Sequence, residues 1–264
     1  MDFVVEILWF WSRLVRVRTF VTIALLCSVP VEAEILLAAM TVASTAELGS
    51  KRFVEGSLAG RKIVLCAGGM GKVNAAHAAT VLIERYAPEA VVVFGVGGAY
   101  PSSGAQVGDL ALAREEIAGD DGVLTKEGFR DTRFMGIPLL TTASSTIYNA
   151  FPAPASLLGS AFHTLQSPPA PDGGKVHAGT FVTLSTCTGT SERARELEQR
   201  YRGLCENLEG AAVAQVAGCY GVPWLEVRGI SNIVEDRDLA TWDIPKAART
   251  AQQAVLRLLE GWRP

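Results

Sequence analysis

A chain of 264 residues can form one large or two small domains, at ~150 residues per domain. Apolar residues make up 49% of it and charged ones only 19%, which excludes a disordered or highly solvated protein. Twenty-four Lys and Arg stand against 27 Asp and Glu, a net charge of −3, with no basic run able to track a phosphate backbone, so nucleic acid is not an expected partner.

Residues 1–20 are read as an N-terminal extension and 21–264 as one domain. Arg13, Arg16 and Arg18 precede an apolar stretch over 20–29 that ends near Val31-Glu32-Ala33, the layout of a secretory leader. Asp2 and Glu6 are wrong for a basic leader, and the same stretch reads as a first β-strand. Glu6, Arg13, Glu32 and Glu34 break every apolar run short of the ~20 residues that span a bilayer, so no membrane segment is expected. From Val21 onward β-branched runs alternate with Ala-rich stretches of helical period, which predicts an α/β fold with a largely buried sheet. In chain order the pattern gives a strand at 21–28, a helix at 34–46, a strand at 62–67, a helix at 73–86 and strands at 90–95 and 109–114. A Pro-rich segment at 151–174, with one helix at 155–166, looks like an insertion at the rim. A strand at 179–183, helices at 191–201 and 210–220, a strand at 224–230 and a last helix from Pro245 to about Glu260 complete the series.

Two glycine-rich turns are expected after strands, Gly68-Gly69-Met70-Gly71-Lys72 and Gly95-Val96-Gly97-Gly98, where backbone passes close to a ligand. The second lacks the sixth-place glycine of a dinucleotide fingerprint. Glu206-Asn207-Leu208-Glu209 stands at the start of a helix, where a carboxylate either caps the helix or faces a ligand. Ser231 and Asn232 end a strand with groups able to hydrogen-bond a heterocycle. His77, His163 and His177 have no metal-ligand spacing, and five Cys, at 27, 66, 187, 205 and 219, show neither C-x-x-C spacing nor disulfide-scaffold density, which fits a reducing cytoplasm. No G-x-S-x-G elbow and no Walker loop is present. Neither a metal nor an organic cofactor is expected.

Taken in order, Pro30-x-Glu32-x-Glu34, Gly69-Met70-Gly71-Lys72-Val73-Asn74-Ala75-Ala76, Gly95-x-Gly97-Gly98, Val107-Gly108-Asp109, Glu206-Asn207-x-Glu209-Gly210-Ala211-Ala212 and Val227-Arg228-Gly229-Ile230-Ser231-Asn232 resemble the purine nucleoside phosphorylase and nucleosidase superfamily. Within it the Pro-x-Glu-x-Glu start and the stretches around Glu209 and Asn232 are most similar to the futalosine hydrolase branch, which releases hypoxanthine during menaquinone synthesis. The resemblance implies a single-domain three-layer α/β fold, a central mixed sheet flanked by helices, acting as a homo-oligomer on a small nucleoside. Catalysis falls by position on Glu34, with Glu32 as its rival for the general base, on Glu209 for the ribose hydroxyls and on Asn232 for the purine. Gly97, Gly98, Cys187 and Thr188 bind substrate in this reading, as do Asn207, Leu208 and Ser231. Arg130, Arg133, Lys126 and Arg237 are each able to meet the carboxylate on the substrate's far arm. The adenine-type nucleosidases of the superfamily carry Asp at the place of Asn232 and a second Glu at that of Asn207. Its phosphorylases hold phosphate with Arg in or near the glycine-rich turns, which lack Arg here. Another purine nucleosidase, of the methylthioadenosine/adenosylhomocysteine type, a phosphorylase, told apart by its need for phosphate, and a purine sensor that has lost catalysis are the alternatives.

Overall fold

The computed structural model describes residues 21–167 and 174–262. The proposed extension at 1–20 lies outside them. The first strand, β1 (Thr22–Cys27), is wholly buried. Ile23 and Leu25 feed one apolar cluster and Ala24 and Leu26 another, on opposite faces of the sheet. This two-sided burial is why the strands read as unbroken apolar runs. After a 3₁₀ turn (Pro30–Glu32) comes α1 (Glu34–Ala39), then the hairpin β2 (Thr41–Leu48) and β3 (Lys51–Leu58). The helix expected over 34–46 is thus corrected: it stops at Ala39, Met40 is extended, and 41–48 pairs antiparallel with β3. Its apolar spacing imitates a helix, but β-branched Thr41 and Val42 and the pairing with β3 win.

β4 (Arg61–Ala67), α2 (Lys72–Tyr86) and β5 (Ala90–Ala99) follow, then β6 (Leu110–Ala118). A rim of short elements comes next: β7 (Gly122–Thr125), β8 (Gly128–Asp131), α3 (Thr132–Met135), β9 (Leu140–Thr141), β10 (Thr146–Ile147) and β11 (Ala150–Pro152). The chain ends with α4 (Ala155–Gln166), β12 (Val176–Thr183), α5 (Ser191–Tyr201), β13 (Gly203–Asn207), α6 (Gly210–Tyr220), β14 (Trp224–Ile233) and α7 (Ile244–Glu260). Strand β13 lies where the sequence reading had only an acidic turn, and all five of its residues are buried.

The large mixed sheet runs β11-β6-β12-β13-β5-β1-β4-β3-β2. β14 lies parallel to β5 and antiparallel to β6. Since β6 pairs β12, β12 pairs β13 and β13 pairs β5, those strands and β14 close into a ring. α2 and α6 pack on one face, and α7 with α1 and α4 on the other, giving three layers in a single domain. The second glycine segment is not a turn: Gly95, Gly97 and Gly98 continue β5 to Ala99.

Candidate active site

At the ends of β1, β5, β13 and β14 lies a cavity of about 180 Å³. Its lining includes Glu32, Glu209 and Asn232, together with Gly97, Gly98, Cys187, Thr188, Asn207, Leu208 and Ser231. Val29, Met70, Val234 and Trp242 supply apolar wall. Glu34, the first choice for the base, does not reach it: the residue is exposed on the first turn of α1. Glu32, its rival for that role, does line the cavity and is 2% exposed.

Glu32 is held by backbone. Its Oε2 accepts the amides of Ser28 at 2.9 Å and Val29 at 3.0 Å, and its Oε1 accepts Val96 N at 2.8 Å. Gly95 permits this approach: it sits at φ +156°, and a Cβ there would lie 2.4 Å from Glu32 Oε1. Gly97 similarly lets the Cys205 Sγ close in, 2.4 Å from where a Cβ would stand.

Glu209 immediately precedes α6, yet its side chain does not cap that helix. Oε1 accepts Gly71 N of the first glycine turn at 2.9 Å, and Oε2 accepts Arg228 Nη2 at 3.1 Å. The capping falls to Asn207, whose Oδ1 takes the amides of Glu209 at 2.9 Å and Gly210 at 2.8 Å. Asn207 therefore lines the cavity with its amide already committed to the frame.

Arg228 is the residue the sequence reading quoted without a role. It is 2% exposed; Nε donates to Glu226 Oε1 at 2.8 Å and Nη1 to the Val96 carbonyl at 3.1 Å. Together with Val96 N on Glu32, it ties Glu32 and Glu209 to one strand. Its signal in the sequence was a Glu226–Arg228 pair two residues apart in the apolar first half of a strand.

Across the cavity, Asn232 and Glu206 both pair with Gly98, from the two strands that flank it. The Asn232 amide has one orientation that satisfies its neighbours: Nδ2 donates to the Ile233 carbonyl at 3.0 Å and Oδ1 accepts the Ser231 hydroxyl at 2.8 Å. No second acceptor for Nδ2 is found among the described residues. Glu206, given no role of its own within the acidic cluster, lines the cavity and accepts Thr188 N at 2.8 Å, the Thr188 hydroxyl and Tyr100 Oη at 3.3 Å. Burial pushes its carboxyl above the ordinary range, and the Thr188 hydrogen bonds pull against that shift.

Lys72, at the start of α2, pairs with Asp120 and, at 3.1 Å, with Asp121. Its charge is spent there. Of the four residues considered for the far arm of a substrate, Arg130 and Arg133 line a separate groove with Phe129 and Tyr148. Arg237 stacks 4.7 Å from the ring of Trp242, a wall residue of the cavity.

Residues 22–260 match the phosphorylase superfamily. The futalosine hydrolase of Thermus thermophilus is 35% identical over 202 residues, 76% of this chain and 83% of that one. The 5'-methylthioadenosine/S-adenosylhomocysteine nucleosidase of Mycobacterium bovis is 27% identical over 251 residues, 90% of this chain and 97% of that one. In fold, the S-adenosylhomocysteine nucleosidase of Streptococcus pyogenes, solved with 5-methylthiotubericidin, superposes with a TM-score of 0.80 at 21% identity, covering 94% of this chain and 100% of that one.

Proposed function

From its membership of the phosphorylase superfamily, in which its relatives are N-glycosyl hydrolases, we propose that this nucleosidase cleaves a 6-oxopurine nucleoside, futalosine, with water, releasing hypoxanthine and dehypoxanthine futalosine. The observation that carries the substrate class is the polar pair flanking Gly98. A 6-oxopurine offers acceptors at N7 and O6 and a donor at N1–H. Asn232 has a free amide hydrogen for the first, and Glu206 retains acceptor capacity for the second. An adenine ring still offers N7 to Asn232, but its donor at C6 and acceptor at N1 leave Glu206 facing an acceptor and the Asn232 amide facing a donor where O6 would stand.

Cleavage of an N-ribosidic bond builds positive charge on the sugar and negative charge on the base. A carboxylate has about four acceptor positions, and the three amides on Glu32 leave one for the attacking water, whose proton it takes as general base. Glu209, fixed through both oxygens, grips the ribose hydroxyls, and those bonds strengthen as the sugar becomes cationic. The Asn232 amide receives charge arriving at N7 or O6. With Lys72 held by two aspartates, Arg228 held by Glu226 and Glu209, and no Arg in the glycine segments, no cation among these described residues is left for a phosphate dianion, which supports water as the nucleophile. The reading carries with it a homo-oligomer in the cytoplasm, working in menaquinone synthesis without a cofactor.

The test is incubation with futalosine, inosine and methylthioadenosine in phosphate-free buffer, followed by chromatography of the base and sugar. Hypoxanthine and a free sugar are expected, at full rate without phosphate. Faster release of adenine from methylthioadenosine would make the protein an adenine-type nucleosidase, and a sugar 1-phosphate would make it a phosphorylase.

A further inference from the structure

Two carboxyl groups beneath the cavity take no part in the chemistry above. Glu116 on β6 and Glu226 on β14 are both 0% exposed. They approach each other beside Gly210: a Cβ on that glycine would lie 2.1 Å from Glu226 Oε2 and 2.2 Å from Glu116 Oε1. Glu226 spends Oε1 on Arg228 Nε, and its Oε2 has no donor among the described residues. Glu116 is better supplied, with the Thr183 hydroxyl on Oε2 at 2.6 Å and Asn207 Nδ2 on Oε1 at 2.8 Å. Two ionised carboxylates in contact, shut away from water, repel strongly, and a buried acceptor without a donor is costly besides. One proton between them removes both difficulties.

We propose that Glu116 and Glu226 share a single proton, carried on Glu116 and donated to Glu226 Oε2, and that Glu116 is thereby a positioning residue for Arg228 and Glu209. Arg228 decides which partner keeps the proton. Its guanidinium touches Glu226 and favours the anion there, whereas burial and the facing Glu226 push the Glu116 carboxyl well up. The charged groups that face the pair are Arg228 of β14, Glu209 at the start of α6 and, across the guanidinium, Glu32. Thr183 of β12 and Asn207 of β13 are neutral, and Cys205 of β13 stays a thiol because burial pushes it well up. A lone guanidinium is thus surrounded by carboxyls, and the shared proton removes one negative charge from the crowd. The chain of contacts runs from Glu116 to Glu226, from there to Arg228, and from Arg228 Nη2 to the ribose-gripping Glu209.

The proton is read without substrate, so this proposal depends on the nucleosidase reading only in its kinetic half. Infrared spectra of the full chain carrying ¹³C-labelled glutamate, at pH 8 where an ordinary Glu of pKa ≈ 4.3 is ionised, are expected to show one neutral carboxyl stretch. That band is expected to vanish in Glu116→Gln and in Glu226→Gln. Glu226→Gln places a fixed amide donor where the proton stood and keeps an oxygen for Arg228, so it is expected to recover at least about tenfold of the kcat that Glu226→Ala loses. Glu116→Ala is expected to cut kcat at least about 100-fold while KM moves less than about threefold, because the loss falls on the transition state. A wild-type spectrum with no neutral carboxyl at pH 8 overturns the proposal whether or not any variant folds, as does a band that survives in both Gln variants. Equal losses in kcat for Glu226→Gln and Glu226→Ala overturn the positioning role. Failure to release any purine base, with the band present, overturns the nucleosidase reading instead.

Discussion

Glu32 and Glu34 are two residues apart and chemically identical, yet one is wrapped by three backbone amides and the other stands in solvent. Glu32→Gln is expected to reduce turnover at least about 100-fold, as removal of a general base does, and Glu34→Gln to stay within about twofold. Steady-state kinetics of the pair check both, and the reverse pattern would move the base onto α1. The spacing Pro30-x-Glu32-x-Glu34 was legible in the sequence; which carboxylate turns inward was not, since that depends on a 3₁₀ turn and on Val96 N from a strand more than sixty residues away. Glu209 and Asn232 were legible because each closes a distinctive local motif. Asn232→Asp is expected to shift the ratio of inosine to methylthioadenosine cleavage toward the 6-amino substrate by about 1–3 kcal/mol, since the acid can protonate N7 and its anion repels O6. An unchanged ratio would remove Asn232 from the base edge. Arg237→Ala is expected to raise KM for carboxylate-bearing futalosine and leave inosine unaffected; equal effects on both would detach Arg237 from the substrate's far arm.

Glycines decide how closely the elements meet. Gly229, in the middle of β14, faces α7 so directly that a Cβ would lie 2.0 Å from the Ala247 carbonyl. Backbone cannot swing aside as a side chain can, so Gly229→Ala is expected to destabilise the fold by about 1–3 kcal/mol or more, read from denaturant melts, with m unchanged. A variant as stable as the wild type would mean that helix and strand are less tightly seated. The same logic explains what the sequence concealed at this scale. Central strands such as β1 were legible because burial on both faces leaves only apolar residues. The hairpin of β2 and β3 was not, because most of β2 is exposed and its Ala-rich spacing suits a helix as well as a strand. β13 was hidden for another reason: two of its five residues, Glu206 and Asn207, are polar residues that line the cavity.

For the molecule as a whole, carboxyls set the pH range of stability from both ends. Burial alone would raise Asp109, but the amides of Lys175 and Gln106 and the His177 ring at 2.8 Å hold its carboxyl below the usual range. A depressed group contributes stability above its unfolded pKa, ≈ 3.9 for Asp, and loses it as pH falls through the folded value. The difference in Tm between wild type and Asp109→Asn is therefore expected to be full at pH 6 and to shrink steadily below about pH 4. Glu116 has the opposite sign: its raised carboxyl stabilises fully below ≈ 4.3 and loses that contribution as pH climbs toward its folded value. Thermal melts from pH 3 to 9 should show a flatter alkaline limb for Glu226→Gln than for wild type, because the fixed amide replaces a proton that can leave.

The place of β14 has a consequence for how the protein is made. Ribosomal synthesis delivers this strand late, after β5 and β6, yet it is the one that lies between them. Until it emerges, the nascent chain carries two unsatisfied edges on the largely apolar strands β5 and β6, a template for pairing with other chains. Arg228, Ser231 and Asn232 arrive with it, so chains stalled before Trp224 are expected to be inert and prone to clump. Closure across such long sequence separations is also slow, so soluble yield is expected to rise when expression is cooled.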